Sequence, residues 1–319
     1  MSLHAATTRD AWRLSQFLSI LDMTPVELET CLDVAASLKH ARRAQRPHVM
    51  PLAGRHVALL FEKPSLRTRS TFTIAVRELG GDVLEPPADV TFGGRETIED
   101  VGRNLERWVF ALVMRTFAQS KLERLAAAAP SLRLVNALTD EEHPCQALAD
   151  CQTLIERFGS LQGRTVAFVG DGNNVAASLA HAIAMLGGTV VVASPKGFEL
   201  PQQVRDDVAK IARFGGGVEV TNDPAAAVKD SCAVYTDVWA STGQEDEAVS
   251  RHEIFLPFQV NAGLMSHAPS DAIFMHCLPA HRGDEVTDEV IDSPASVVFD
   301  QSENRLHTQK ALLALLAAS

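Results

Sequence analysis

Apolar and polar positions alternate along this chain in two rhythms. Thr24-Pro25-Val26-Glu27 carries a hydroxyl N-cap, a proline at the first helical position and a glutamate at the third, which predicts a helix running to about Arg43. Then short apolar runs begin. His56 to Phe61 reads as a strand, Arg67 to Leu79 has helical spacing closed by Gly80-Gly81, and Val109 to Met114 and Leu132 to Asn136 repeat the strand signal.

The same grammar restarts at Thr165 to Val169 and continues through runs at 189–193, 218–221, 232–236 and 272–276, with helical stretches between them. Strands separated by helices imply a parallel sheet with helices on its faces. One long helical stretch, Pro144 to Arg157, falls near the change of halves, and Ser302 to Leu316 reads as a terminal helix. The expected fold is therefore α/β: two doubly wound parallel-sheet domains joined by linking helices, with the active site in the interdomain cleft. The expected domains are 1–141 and a Rossmann-like 142–301, with the helix at about 302–319 packing back on the first.

A length of 319 residues with 46% apolar composition suits two domains, each with an ordinary core. The five cysteines, Cys31, Cys145, Cys151, Cys232 and Cys277, are odd in number, dispersed and without CxxC spacing. This argues against a disulfide framework or zinc ribbon and for a reducing cytosol. The stretch from Met1 to Leu21 has charges where a signal peptide would have an apolar core, and no window approaches a membrane span, so a soluble, cytoplasmic protein is expected.

The 29 basic and 40 acidic residues give a net charge of −11, spread along the chain. Nucleic acid is a poor partner for such a surface, and membrane is not expected either. An anionic small molecule would need a local cationic cluster.

Phe61-Glu62-Lys63-Pro64-Ser65-Leu66-Arg67-Thr68-Arg69 supplies one, where a strand ends and a helix begins. A helix N-terminus offers unpaired N–H donors and partial positive charge, and arginine adds a planar fork matched to phosphate oxygens. Simple capping by Ser65 with solvated arginines explains the segment equally well, so alone it suggests phosphate and no more. Two further clusters, His143-Pro144-Cys145-Gln146 and His276-Cys277-Leu278-Pro279, fall where α/β enzymes keep their chemistry. Neither has the spacing of a familiar zinc site, and no metal or other cofactor is expected. His276 and Cys277 are neighbours on an extended chain and point to opposite sides, which disfavours a thiol nucleophile activated by that histidine.

Taken together, Ser65-Leu66-Arg67-Thr68-Arg69, His143-Pro144-Cys145-Gln146, Asp237-Val238-Trp239-Ala240-Ser241-Thr242-Gly243 and His276-Cys277-Leu278-Pro279 resemble the ordered motif set of the ornithine carbamoyltransferases. The resemblance extends from about Leu18 to Leu316 and includes Glu303-Asn304-Arg305. It implies carbamoyl transfer from carbamoyl phosphate to ornithine, within arginine metabolism, where biosynthesis and breakdown use the same site. It assigns Ser65, Leu66 through its backbone, Arg67 and Thr68 to the phosphate, and Arg115, His143 and Gln146 to the carbamoyl end. Cys277, Leu278 and Arg305 also match carbamoyl phosphate contacts, and Asn174, Asp237, Ser241 and Thr242 match the ornithine site. Arg115, His143, Asp237 and Cys277 are the expected catalytic residues. The resemblance further implies a homotrimer with active sites formed between subunits.

Three positions depart from the family pattern. Thr242 stands where Met is usual, Thr91 where the loop lent by a neighbouring subunit often has Gln or His, and Leu66 where many members have Thr. A sister carbamoyltransferase acting on N-acyl-ornithine, putrescine or aspartate is the nearest rival. A nicotinamide enzyme is a more distant one, because Val169-Gly170-Asp171-Gly172-Asn173-Asn174 lacks the third glycine of a dinucleotide fingerprint, with Val175 in its place. A third is a regulator that keeps the fold and binds ligand without turnover.

Overall fold

The computed structural model describes residues 12–47, 49–87, 94–240 and 248–318. The chain divides into two compact units: the first runs to Gln152 and resumes at Asn304, and the second is Thr153–Glu303. Both are built on parallel sheets.

The first unit opens with helix α1 (Pro25–Arg43), whose capping box closes as the sequence requires: Thr24 accepts from Glu27 N, and the Glu27 side chain accepts from Thr24 N. Then come β1 (His56–Phe61), α2 (Leu66–Glu78), β2 (Asp82–Leu84), α3 (Ile98–Trp108), β3 (Ala111–Arg115), α4 (Gln119–Ala128), β4 (Arg133–Leu138) and α5 (Pro144–Phe158), which passes into the second unit after Gln152. The strand order is β2-β1-β3-β4. Because β2 lies on one side of β1 and β3 on the other, the order reverses between β1 and β3. One face of the sheet packs against α3 and α4 through Leu60, Leu112, Met114, Leu105, Leu122 and Leu125.

The second unit contains β5 (Thr165–Val169), α6 (Asn174–Met185), β6 (Thr189–Ala193), α7 (Gln202–Ile211), β7 (Gly217–Thr221), α8 (Pro224–Val228) and β8 (Ala233–Thr236). It continues through α9 (Ala248–Phe255), α10 (Ala262–Met265), β9 (Ile273–His276) and α11 (Asp288–Ile291). Strand order β7-β6-β5-β8-β9 reverses between β5 and β8. The long α12 (Val298–Ala318) closes the chain. In the first unit its residues tie to the body: Lys39 donates to Asn304 Oδ1 at 2.7 Å, the buried Lys310 to Glu78 at 2.5 Å, and Arg133 to Leu316 O at 2.8 Å.

Some boundaries differ from expectation. The strand expected from Val109 starts at Ala111, because Val109 N–H closes α3 on Leu105 O. The terminal helix begins at Val298, four residues before the expected Ser302. Val297 and Val298 are buried, so their apolar run is core-facing rather than a break. The three-residue β2 is too short to give a period.

Candidate active site

In an open parallel sheet, loops leaving the carboxyl ends of strands on either side of the order reversal diverge and leave room for a ligand. In the first unit those loops follow β1 and β3. After β1, Ser65 takes extended backbone angles and caps α2, its hydroxyl accepting from Thr68 N at 3.2 Å. The first turn of α2 is Leu66, Arg67 and Thr68, and it carries no acidic residue, so its partial positive charge is unopposed locally. Leu66 is 77% exposed, so the substitution of Thr by Leu at this position projects outward and leaves the backbone N–H in place.

Thr68 is fully buried, and its hydroxyl accepts from Arg305 Nη2 at 2.5 Å. Arginine carries only donors, so the hydroxyl proton of Thr68 is directed elsewhere and can serve an oxygen. After β3, the pairing register with β4 shifts between Met114 and Arg115, which re-aims Arg115 at the strand end. After β4, His143 precedes α5 and is 5% exposed. Burial, and then the charges of Arg305 and Arg115, hold its pKa well below the ordinary 6.5. His143 is therefore neutral near pH 7, beside two cations.

Flanking charges are absorbed locally. Arg69 pairs with Glu85 and stacks over Phe61, and Lys63 bonds Asp140 at 2.5 Å with its ammonium 4.2 Å from the Phe117 ring centre. Burial would raise the Glu62 carboxyl, but hydrogen bonds from Lys121 and Thr116 hold it below its usual value. The cluster therefore resolves into Arg67, Arg115 and Arg305 near the N-terminus of α2, with Arg69 serving structure. Cys145 donates to Asn136 O at 3.3 Å, and burial pushes its thiol up to about 12, so it is no nucleophile.

In the second unit the reversal lies between β5 and β8. The turn after β5 needs two glycines. Gly170 has φ +139°, and a Cβ on Gly172 would lie 2.3 Å from Leu200 N. Val175, where a dinucleotide fingerprint has glycine, is buried within α6. Asn173 caps α6, accepting from Val175 N and Ala176 N, and donates through Nδ2 to Asp237 Oδ2 at 3.0 Å. Asn174 is the first residue of α6. Asp237, 6% exposed, also receives the Cys277 thiol at 2.9 Å on Oδ1. Arg251, on α9, donates to Asp171 at 2.7 Å and to Trp239 O at 2.8 Å, joining the turn after β5 to the one after β8.

A ring nitrogen of His276 lies within 4.8 Å of the Cys277 sulfur, so the two side chains do not diverge to opposite sides as expected of an extended chain; the backbone leaves extended geometry at the next residue, Leu278. The His276 ring accepts Leu278 N–H at Nδ1 (2.9 Å), which puts its proton on Nε2, 3.2 Å from the buried Glu285. Leu278 has φ +58° and precedes a cis Pro279. Asp237, His276 and Cys277 offer ligand atoms within 4.8 Å of one another, and Asp237 and Cys277 are joined by the thiol hydrogen bond just described.

Of the residues expected on carbamoyl phosphate, Ser65, Leu66, Arg67, Thr68, Arg115, His143, Gln146 and Arg305 fall in the first unit, and Cys277 and Leu278 in the second. Asp237 and Asn174, expected on ornithine, are also in the second; Ser241, Thr242 and the Thr91 loop lie outside the described residues. Sequence reasoning missed Asn173, Arg251 and Glu285. Only the first had a readable signal, as an asparagine preceding a helix.

Comparison with known proteins also gives two domains, with the C-terminal residues 304–316 counted in the second instead of the first. The carbamoyl-phosphate-binding domain of the aspartate/ornithine carbamoyltransferases matches residues 15–156, and the family's Asp/Orn-binding domain matches 162–316. An ornithine carbamoyltransferase of Thermococcus kodakarensis is 50% identical over 301 residues, covering 94% of this chain and 95% of its own. The solved structure of an ornithine carbamoyltransferase from Pyrococcus furiosus superposes with TM-score 0.89 at 48% identity, covering 94% and 96% of the two chains. That from Thermus thermophilus gives 0.86 at 42% identity, covering 96% and 99%. Matched over nearly its whole length in both domains, this chain belongs to the aspartate/ornithine carbamoyltransferase family.

Proposed function

We propose that this protein is an ornithine carbamoyltransferase, converting carbamoyl phosphate and L-ornithine to L-citrulline and phosphate by direct attack of the neutral side-chain amine. The observation that carries the reading is the Thr68–Arg305 contact at the start of α2, beside a histidine kept neutral by burial and, after it, by the charges of Arg305 and Arg115. Phosphate donors and carbonyl-oxygen donors thus adjoin each other on one turn.

In this reading Ser65, the N–H groups of Leu66 and Thr68, and Arg67 hold the phosphate and stabilise it as it leaves. Thr68, Arg115 and His143 donate to the carbonyl oxygen as it gains charge during attack; one such donor is typically worth roughly 2.7 to 4 kcal/mol. Gln146 meets the carbamoyl nitrogen.

The acceptor set is Asn174, Asp237, Ser241 and Thr242. Asp237 keeps accepting capacity beyond Asn173 and Cys277, since each carboxylate oxygen has two lone pairs. It suits an α-ammonium group, which an N-acylated ornithine lacks, and this favours free ornithine. Cys277, a donor to Asp237, tunes that carboxylate. The nucleophile must lose a proton first. With a lysine-like pKa of about 10.4, roughly one ornithine in a thousand carries the free amine near pH 7.4, at a cost of about 4 kcal/mol.

The reading includes a cytoplasmic homotrimer in which a neighbour lends its Thr91 loop, and a role in arginine metabolism. Sedimentation at the mass of three chains tests the trimer. The chemistry is tested by product stoichiometry. Citrulline and phosphate should appear in equal amounts, only with both substrates present, and the rate should rise with pH from 6 to 8.5. Phosphate release that is independent of ornithine would overturn it.

A further inference from the structure

Gln146 lies in the first turn of α5, three residues after His143, and its backbone N–H donates to His143 O at 3.0 Å where the chain enters that helix. It is 1% exposed, and its Nε2 donates to Asp150 Oδ1 at 2.9 Å; Asp150 is fully buried four residues later. Its Oε1, also buried, accepts no hydrogen bond among the described residues. An amide can be turned over with little change of shape, but a carboxylate only accepts, so Asp150 fixes which end faces it. The amide oxygen must then face away from Asp150, as a buried acceptor in want of a donor.

We propose that Asp150 is a positioning residue that sets the polarity of Gln146, so that the site recognises an amino group on the transferred carbon rather than a methyl group. This rests on the reading of the site as one for carbamoyl phosphate. The carbamoyl NH2 donates to Gln146 Oε1, whereas the methyl of acetyl phosphate, otherwise the same shape, has nothing to donate. With the amide turned over, Nε2 would face the ligand and the preference would vanish.

Asp150→Asn and Asp150→Ser test this, because both replacements can donate as well as accept and so permit either amide orientation. Asp150→Glu keeps an obligate acceptor. The readouts are KM for carbamoyl phosphate and Ki for acetyl phosphate and for inorganic phosphate, with the unfolding midpoint measured for each variant. Asn or Ser, whichever folds, should raise KM for carbamoyl phosphate about tenfold, the scale of one lost hydrogen bond. Both Ki values should stay within about twofold of the parent, since the phosphate contacts are intact. Glu should restore part of the preference. If all three constants weaken together, or none changes, Asp150 does not set the polarity. Failure of the parent enzyme to turn over carbamoyl phosphate would instead sink the functional reading.

Discussion

Replacing Thr68 by valine keeps shape and β-branching in the first turn of α2 while removing one hydroxyl. Two separable losses follow. The hydroxyl accepts from Arg305 at 2.5 Å in a place where both residues are buried, so the folded state loses a hydrogen bond to a charged group. That loss should lower unfolding free energy by about 1 to 3 kcal/mol. The hydroxyl proton, which Arg305 cannot accept, is also lost as a donor to the carbonyl oxygen, at roughly 2.7 to 4 kcal/mol of transition-state stabilisation, or about a hundred- to a thousandfold in kcat. The assay is initial-rate citrulline formation with ornithine saturating, beside urea unfolding of the same preparation. Thr68→Ser retains the hydroxyl and should stay near the parent in both. A valine variant with kcat within about threefold of the parent would refute the assignment of Thr68 as an oxyanion donor, whatever happened to stability.

Three other outcomes follow from the same geometry. Asp237→Asn removes the charge but not the shape that meets Asn173 and Cys277, and should raise KM for ornithine roughly ten- to a hundredfold while leaving KM for carbamoyl phosphate nearly unchanged; equal change in both would count against its role. Because burial and two arginines depress the His143 pKa, the unfolded chain takes up a proton near pH 6.5 that the folded chain refuses. Stability is thus retained above pH 6.5 and falls as pH drops toward the depressed folded value, by at most about 1.4 kcal/mol per pH unit, and His143→Asn should flatten urea-unfolding stability between pH 6.5 and 5. Since Cys145 stays a thiol with a pKa pushed up to about 12, native protein at pH 8 should leave it unmodified by iodoacetamide while unfolded protein reacts, as mass spectrometry of its peptide would record.

Where local chemistry decides, the sequence was readable. Thr24 and Glu27 close a capping box that four residues predict, and Ser65 caps α2 as a hydroxyl at a strand end should. Most strands came from continuous apolar runs, which buried parallel sheets require. What failed was distant or short. Val109 carries strand-like chemistry but completes a helix, and Asp82–Leu84 is ordered by β1 rather than by its own pattern. At the site, the motif residues stood out as clusters, whereas Thr68 and Arg305 meet across 237 residues. Asp150 and Arg251 read as ordinary helical charges until their partners, Gln146, Asp171 and Trp239, are known.

The most direct test is citrulline formation from carbamoyl phosphate with ornithine, run beside N-acetylornithine, putrescine and aspartate, each with its own carbamoylated product quantified. Turnover with ornithine far above the others is the expected result, and would show that the chain uses ornithine with threonine at position 242. Preference for any other acceptor would contradict the assignment of ornithine.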